Sequence, residues 1–251
     1  MENLRTNDAY LVIMKLLLIA FAGLISLLSI ASANNPHDEK NTKNKIADVI
    51  DYYEQQLHNL YTECELNDKL EFTVFKQALA GYNSLELSNK KILSIIDFSK
   101  PSTEERLFII DLENPKLLLQ TLVAHGKNSG FMNATRFSNR SGSHKSSLGF
   151  YRTGTTYFGR RGYSLKLEGL EKGINDNARR RGIVIHGANY VNDKFVTGKN
   201  SMLGRSWGCP AVSNKLNKKI INLIKNGSCL YIYADDETYK QKSVLIDSNL
   251  N

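Results

Sequence analysis

Ile183-Val184-Ile185-His186-Gly187-Ala188, then seventeen residues, then Ser206-Trp207-Gly208-Cys209-Pro210: the reading of this 251-residue chain turns on that stretch. The run from Ile183 to Ile185 is short, continuous and β-branched, the pattern of a buried strand, and it ends on a histidine next to a glycine. His186 is therefore expected at a strand rim. Cys209 stands between a glycine and a proline, where the backbone turns and a substrate could approach closely. A free thiol with a pKa of about 8.5 is only slightly ionised at neutral pH, and an imidazole that takes its proton makes it a nucleophile. Each residue also has a plainer reading. A cysteine is often a small apolar filler, a strand histidine is often structural, and His125-Gly126 follows an apolar strand of its own. His144, in a Ser-rich loop, and His37 read as solvated.

Upstream of His186 the pattern is that of strands. Ile92 to Phe98, Leu107 to Leu112 and Leu117 to Ala124 are short Ile/Leu/Val runs separated by turn residues, and Asp111 to Val123 resembles a hairpin. A Gly- and Ser-rich segment follows His125-Gly126 as far as Gly149. Leu148 to Tyr151 and Tyr163 to Leu167 read as two strands around Gly159-Arg160-Arg161-Gly162. Downstream, Ser213 is a good N-cap for a helix bearing Leu216, Ile220, Ile221 and Ile224, with Gly227 at its end, and Cys229 to Tyr233 is a last strand. Asp235 to Asn251 reads as a polar tail.

Ahead of the strands, Asn34 to Lys45 reads as a flexible polar lead. Ile46, Val49, Ile50, Tyr53, Leu57, Leu60 and Tyr61 recur at three- and four-residue spacing, an amphipathic helix that carries His58 on its surface or boundary. A shorter helix is expected over about Leu70 to Ala80, stopped by Gly81. Arg5 and Lys15 precede the apolar run Leu16 to Ile30, which leads to Ala31-Ser32-Ala33, an export signal with a small-residue cleavage pattern. An uncleaved anchor is the alternative, and in either case the rest of the chain is placed outside the cytoplasm, in the periplasm or cell envelope. The expected organisation is a signal (1–33), a lead with a helical prelude (34–91), a strand-dominated catalytic domain (92–235) and a tail (236–251).

A net charge of +8 suits an anionic partner. No arginine-rich tract alternates with aromatics and no zinc-finger or helix-turn-helix spacing occurs, so nucleic acid is not the expected partner. The three cysteines show no C-x-x-C spacing, which argues against structural zinc. Cys64 and Cys229 are read either as a disulfide or as two buried thiols.

The spacing around Cys209 resembles the signature of the YkuD-type murein L,D-transpeptidases. There, a histidine is followed by two residues, fourteen to seventeen more, and then Ser or Thr, His, Gly, Cys. Here the last element is Ser206-Trp207-Gly208-Cys209, so Trp207 replaces a histidine, and Pro210-Ala211-Val212 replaces a tail that carries an arginine. Ser-Trp-Gly-Cys-Pro is similar to a branch known as the murein L,D-transpeptidase catalytic domain family. Leu148 to Tyr151, Tyr163 to Leu165 and Asn175 to Arg181 share that likeness, which covers roughly Ile92 to Asp235.

The resemblance implies an α+β fold with a strand-dominated, sandwich-like domain and one late helix. It implies Cys209 as nucleophile, His186 as base and the Gly187 carbonyl as the third member of the triad, with the Gly208 and Cys209 amides facing the oxyanion. Ser206, Trp207 and Arg205 become candidate substrate contacts, the arginines Arg179 to Arg181 further ones, and no metal or organic cofactor is called for. The implied partner is the stem peptide of peptidoglycan, with membrane contact only through the N-terminal segment. Two other outcomes stay open at this stage: water as acceptor, giving an L,D-carboxypeptidase or endopeptidase, and a silent wall-binding protein with Cys209 locked in a disulfide.

Overall fold

The computed structural model describes residues 36–197 and 202–246; the expected export signal lies outside them. Two helices come first, α1 (Pro36–Glu63) and α2 (Phe72–Asn83). Strands β1 (Ile92–Asp97), β2 (Leu107–Asp111) and β3 (Lys116–Thr121) follow. Next come a hairpin of β4 (Gly149–Gly159) and β5 (Gly162–Gly169), then β6 (Val184–Ala188). The chain ends with α3 (Asp193–Thr197), β7 (Ala211–Ser213), α4 (Asn214–Ile224), β8 (Cys229–Tyr233) and α5 (Glu237–Lys242).

The strands form a single sheet in the order β3-β2-β1-β8-β4-β5-β6-β7. Its neighbours are antiparallel except β1 with β8 and β6 with β7. The parallel pairs explain the continuous apolar runs in the sequence. β1 is buried along its whole length and β6 likewise, as expected where both faces are covered. Past Thr121 the chain of β3 reaches Ala124, whose amide and carbonyl exchange hydrogen bonds with Ala211 at 2.8 and 3.3 Å. The edge strand β7 thus joins the continuation of the other edge strand, and the sheet curls back on itself. A small second core of Leu122, Ala124, Ala188, Val191, Leu203 and Ala211 fills this seam.

The main core lies between the sheet and its helices. Helix α2 packs on β1 and β8, whereas α4 touches β1, β5, β6 and β7 and so bridges the curl. Ser213 caps α4, its hydroxyl accepting from the Leu216 amide at 3.3 Å.

Four expectations change. The polar lead is helical from Pro36. A proline at the first position and Asp38 and Glu39 in the first turn suit a helix start, which a search for apolar periodicity passes over. Gly81 does not stop α2 but lies inside it, because a Cβ there would sit 2.1 Å from the Phe150 ring. β4 runs well beyond the expected Leu148–Tyr151, since its outer half is exposed and carries few apolar residues, while β5 lies close to its expected bounds. The tail contains α5, docked through the buried Glu171, whose carboxylate accepts from the Phe150 amide at 2.6 Å, the Tyr239 hydroxyl at 3.3 Å and the Ser243 hydroxyl.

All three cysteines are free thiols, with Cys64 and Cys229 buried, so the pairing of those two is not realised. Among the described residues no helix is long and apolar enough to cross a membrane.

Losing the Ser213 cap is expected to cost about 1 kcal/mol, so Ser213→Ala should melt roughly 2–4 °C below wild type in a thermal scan.

Candidate active site

The two halves of the signature meet through the sheet. β6 and β7 run parallel with His186 opposite Ala211 and Gly187 opposite Val212. Continuing that register back two residues sets Cys209 beside Val184. The Cys209 thiol lies against the Val184 backbone and donates to the Gly182 carbonyl at 3.7 Å. Neighbouring strands and a two-residue offset put the Cα atoms of Cys209 and His186 roughly 8 Å apart. Val184 and His186 share a face by strand alternation, so Cys209 lies on the side of the sheet that carries the imidazole.

His186 is 4% exposed, and its Nδ1 lies 2.9 Å from the Gly187 carbonyl oxygen. A carbonyl only accepts, so Nδ1 carries the hydrogen and the Nε2 lone pair is left for another proton. Burial lowers the His186 pKa, with Arg161 acting in the same direction and the Gly187 carbonyl against it. The ring is thus a neutral base at neutral pH. Gly187 has a packing reason to be glycine, since a Cβ there would lie 2.3 Å from Asn214 Oδ1 at the start of α4.

Cys209 is half-buried. Burial raises its thiol pKa, while the Val184 backbone, Arg181 and Arg161 pull it back down. The turn before it is held at each peptide group. Ser206 Oγ accepts from the Gly208 amide at 3.0 Å and donates to the Cys209 carbonyl at 2.6 Å, and Ser146 Oγ donates to the Gly208 carbonyl at 3.1 Å. Gly208 takes φ +121°, a conformation that favours glycine.

Three of the expected site residues have defined partners. The Gly208 amide is engaged by Ser206, whereas among the described residues the Cys209 amide has no acceptor and could face an oxyanion. Ser206 is buried and spends both functions of its hydroxyl on the turn. Arg205 donates to the carbonyls of Lys127 and Gly130 at 3.3 and 3.0 Å and lies over the Phe131 ring, which ties it into the loop after His125. Trp207, by contrast, is 67% exposed at the rim, stacked on His144 at 5.0 Å between ring centroids. His144 is accordingly half-buried, not the solvated side chain expected.

A model of the L,D-transpeptidase catalytic domain matches residues 66–233. The chain belongs to this family. The match begins ahead of β1 and takes in α2, upstream of the stretch in which the sequence motifs lie. Among solved structures, an L,D-transpeptidase from Mycobacterium smegmatis is 12% identical over 57% of this chain and 59% of that one, with a TM-score of 0.36. An L,D-transpeptidase from Stackebrandtia nassauensis is 11% identical over 72% of this chain and 78% of that one, at 0.35. This chain spans less than two thirds of the length of the first of these. No curated protein sequence matches it.

Within this L,D-transpeptidase domain the rival histidine has a different job. His125 is fully buried, and its Nδ1 accepts from Arg106 Nη2 at 2.9 Å. Arg106, also buried, donates to the Val123 and Lys100 carbonyls. The backbone around His125 carries the turn before Cys209: the Ser206 amide donates to the His125 carbonyl at 3.0 Å and the Lys127 amide to the Ser206 carbonyl at 2.8 Å. Gly126 backs directly onto it, since a Cβ there would sit 2.9 Å from the Gly208 Cα. The second His-Gly pair is a buttress.

Sequence reasoning missed the serines of the 129–147 loop. Ser146 accepts from the Gly126 amide and donates to Gly208, while Ser129 accepts from the Ser146 amide. The only signal was the abundance of serine between two strands.

Burial pushes the His125 pKa down to about 4, with Arg106 adding to the shift. The folded state therefore holds a neutral ring while the unfolded chain takes a proton below about 6.5. The stability this ring contributes is complete above that value and is lost as pH falls toward 4, up to about 3 kcal/mol. Denaturant titrations at pH 7, 5.5 and 4 should show wild type losing more stability than His125→Gln over that interval.

Proposed function

We propose that this protein is a cysteine-dependent peptidoglycan L,D-transpeptidase that works through an acyl-enzyme on Cys209. The observation that carries this reading is the His186 ring, tied through Nδ1 to the Gly187 carbonyl on the strand next to Cys209. His186 Nε2 takes the thiol proton, and the thiolate attacks the carbonyl at the L-centre of the diamino acid in a tetrapeptide stem. The Cys209 amide donates to the oxyanion that forms. On collapse the C–N bond breaks, and His186 returns its proton to the departing amine of D-alanine. An amine of a neighbouring stem then attacks the thioester, His186 takes the proton it loses, and the Cys209 thiolate leaves.

Trp207 supplies an apolar wall at the mouth of this site. The export signal read in the sequence supports a place in the cell envelope with the substrate, with membrane contact at most through the N-terminal segment, and the net positive charge suits an acidic peptide polymer.

Purified tetrapeptide-stem fragments, incubated with and without an added amine acceptor and resolved by mass spectrometry, test the reading. Transfer to the amine is expected from wild type, none from Cys209→Ala, and a loss of at least about 100-fold from His186→Ala. Full activity in Cys209→Ala would sink the mechanism. D-alanine release without transfer would make water the acceptor.

A further inference from the structure

Arg181 precedes β6 and reaches back over the serine loop. Its Nη1 donates to the Ser138 carbonyl at 2.7 Å and Ser147 Oγ at 2.6 Å, and its Nη2 to the Lys145 carbonyl at 2.5 Å and Ser143 Oγ at 3.4 Å. Every one of these acceptors is neutral. Among the described residues Arg181 forms no ion pair, although the side chain is half-buried. A cation withdrawn from water without a counter-charge is costly, so its position asks for an anion close by. Among the described residues, Tyr151 and Cys209 are the neighbours that can become anionic, and Gly208, next to Cys209 in the chain, lies against the guanidinium. Tyr151 is fully buried, and burial raises its pKa far beyond physiological pH, so it stays neutral. The thiol is what remains.

The local geometry is built for this approach. An added Cβ at Gly208 would stand 3.3 Å from Arg181 Nη2 and 2.8 Å from the Lys145 carbonyl. The glycine just before the nucleophile therefore leaves the room that the guanidinium occupies. Because both Nη atoms are committed to the loop, Arg181 is no clamp for a substrate carboxylate, as the sequence had suggested for the Arg179 to Arg181 triplet.

We propose that Arg181 is the resident counter-charge of the Cys209 thiolate and, through the same guanidinium, the peg that holds the 138–147 loop against the nucleophile turn. The inference rests on Cys209 being the nucleophile. It makes Arg181 a positioning residue that favours the ionised sulfur through its field, while His186 carries the proton. Other groups face Cys209 as well: Arg161 from the β4–β5 turn, His186 on β6 and Tyr190 after it. Arg161 is exposed, so its field is screened by solvent, whereas Arg181 acts from inside.

The test is the pH dependence of iodoacetamide alkylation of the full chain, with the adduct mapped to Cys209 by peptide mass spectrometry. In Arg181→Gln the alkylation midpoint is expected to rise by about one pH unit, with roughly tenfold slower alkylation at neutral pH and a high-pH plateau near that of wild type. Arg181→Lys keeps the charge without the fork, and its midpoint is expected to stay within about 0.3 unit of wild type. An unmoved midpoint in Arg181→Gln would overturn the proposal and leave Arg181 a loop anchor. If that variant does not fold, Arg181→Lys decides, and a rise of about one unit there would count against a role for the charge. The readout needs no peptidoglycan, so it fails or succeeds independently of product formation by wild type and Cys209→Ala.

Discussion

The parallel pairing of β6 with β7 is the constraint on which the rest of this protein depends. It is only three residues long, yet it fixes the offset between the histidine and the cysteine across the gap that separates them in sequence. So short a pairing does not stand alone. On one side Ala124 closes the curled sheet against Ala211, and on the other the cap of α4 starts directly after β7 and presses Asn214 against Gly187. The fold positions Cys209 beside the His186 strand by trapping an edge strand between a seam and a helix start.

Around that pairing, polarity is arranged with little slack. Ser206 and Ser146 bind the Gly208 and Cys209 peptide groups of the turn, while among the described residues the Cys209 amide has no acceptor and the outer nitrogen of His186 is uncommitted. In the mechanism proposed above, His186 takes the thiol proton and Arg181 lowers the cost of the charge left behind.

The fold was legible in the sequence where burial was complete. β1, β2, β6 and β8 are continuous apolar runs because both faces of the curled sheet are covered, and β8 ended where the pattern said. β4 was cut short in the reading because its outer half faces solvent and carries no apolar alternation. Gly81 was mistaken for a stop because glycine gives the same signal whether it ends a helix or makes room for a ring such as Phe150. At the candidate site, the strand pairing sets the stretches of His186-Gly187 and Cys209, which the motif singled out, side by side. The work of Ser206, Ser146 and Arg181 was not legible, since their partners come from a loop distant in sequence and no periodicity marks them. His125 showed the reverse: a motif resembling the functional one turned out to be a buried support.

Acylation of Cys209 can be read by intact-protein mass spectrometry after brief exposure of wild type to a tetrapeptide-stem fragment without acceptor, followed by peptide mapping. One adduct per chain is expected, equal in mass to the donor less its terminal D-alanine and located on Cys209. Donor turnover with no adduct captured at any quench time, or an adduct on Cys64 or Cys229, would contradict the proposed mechanism.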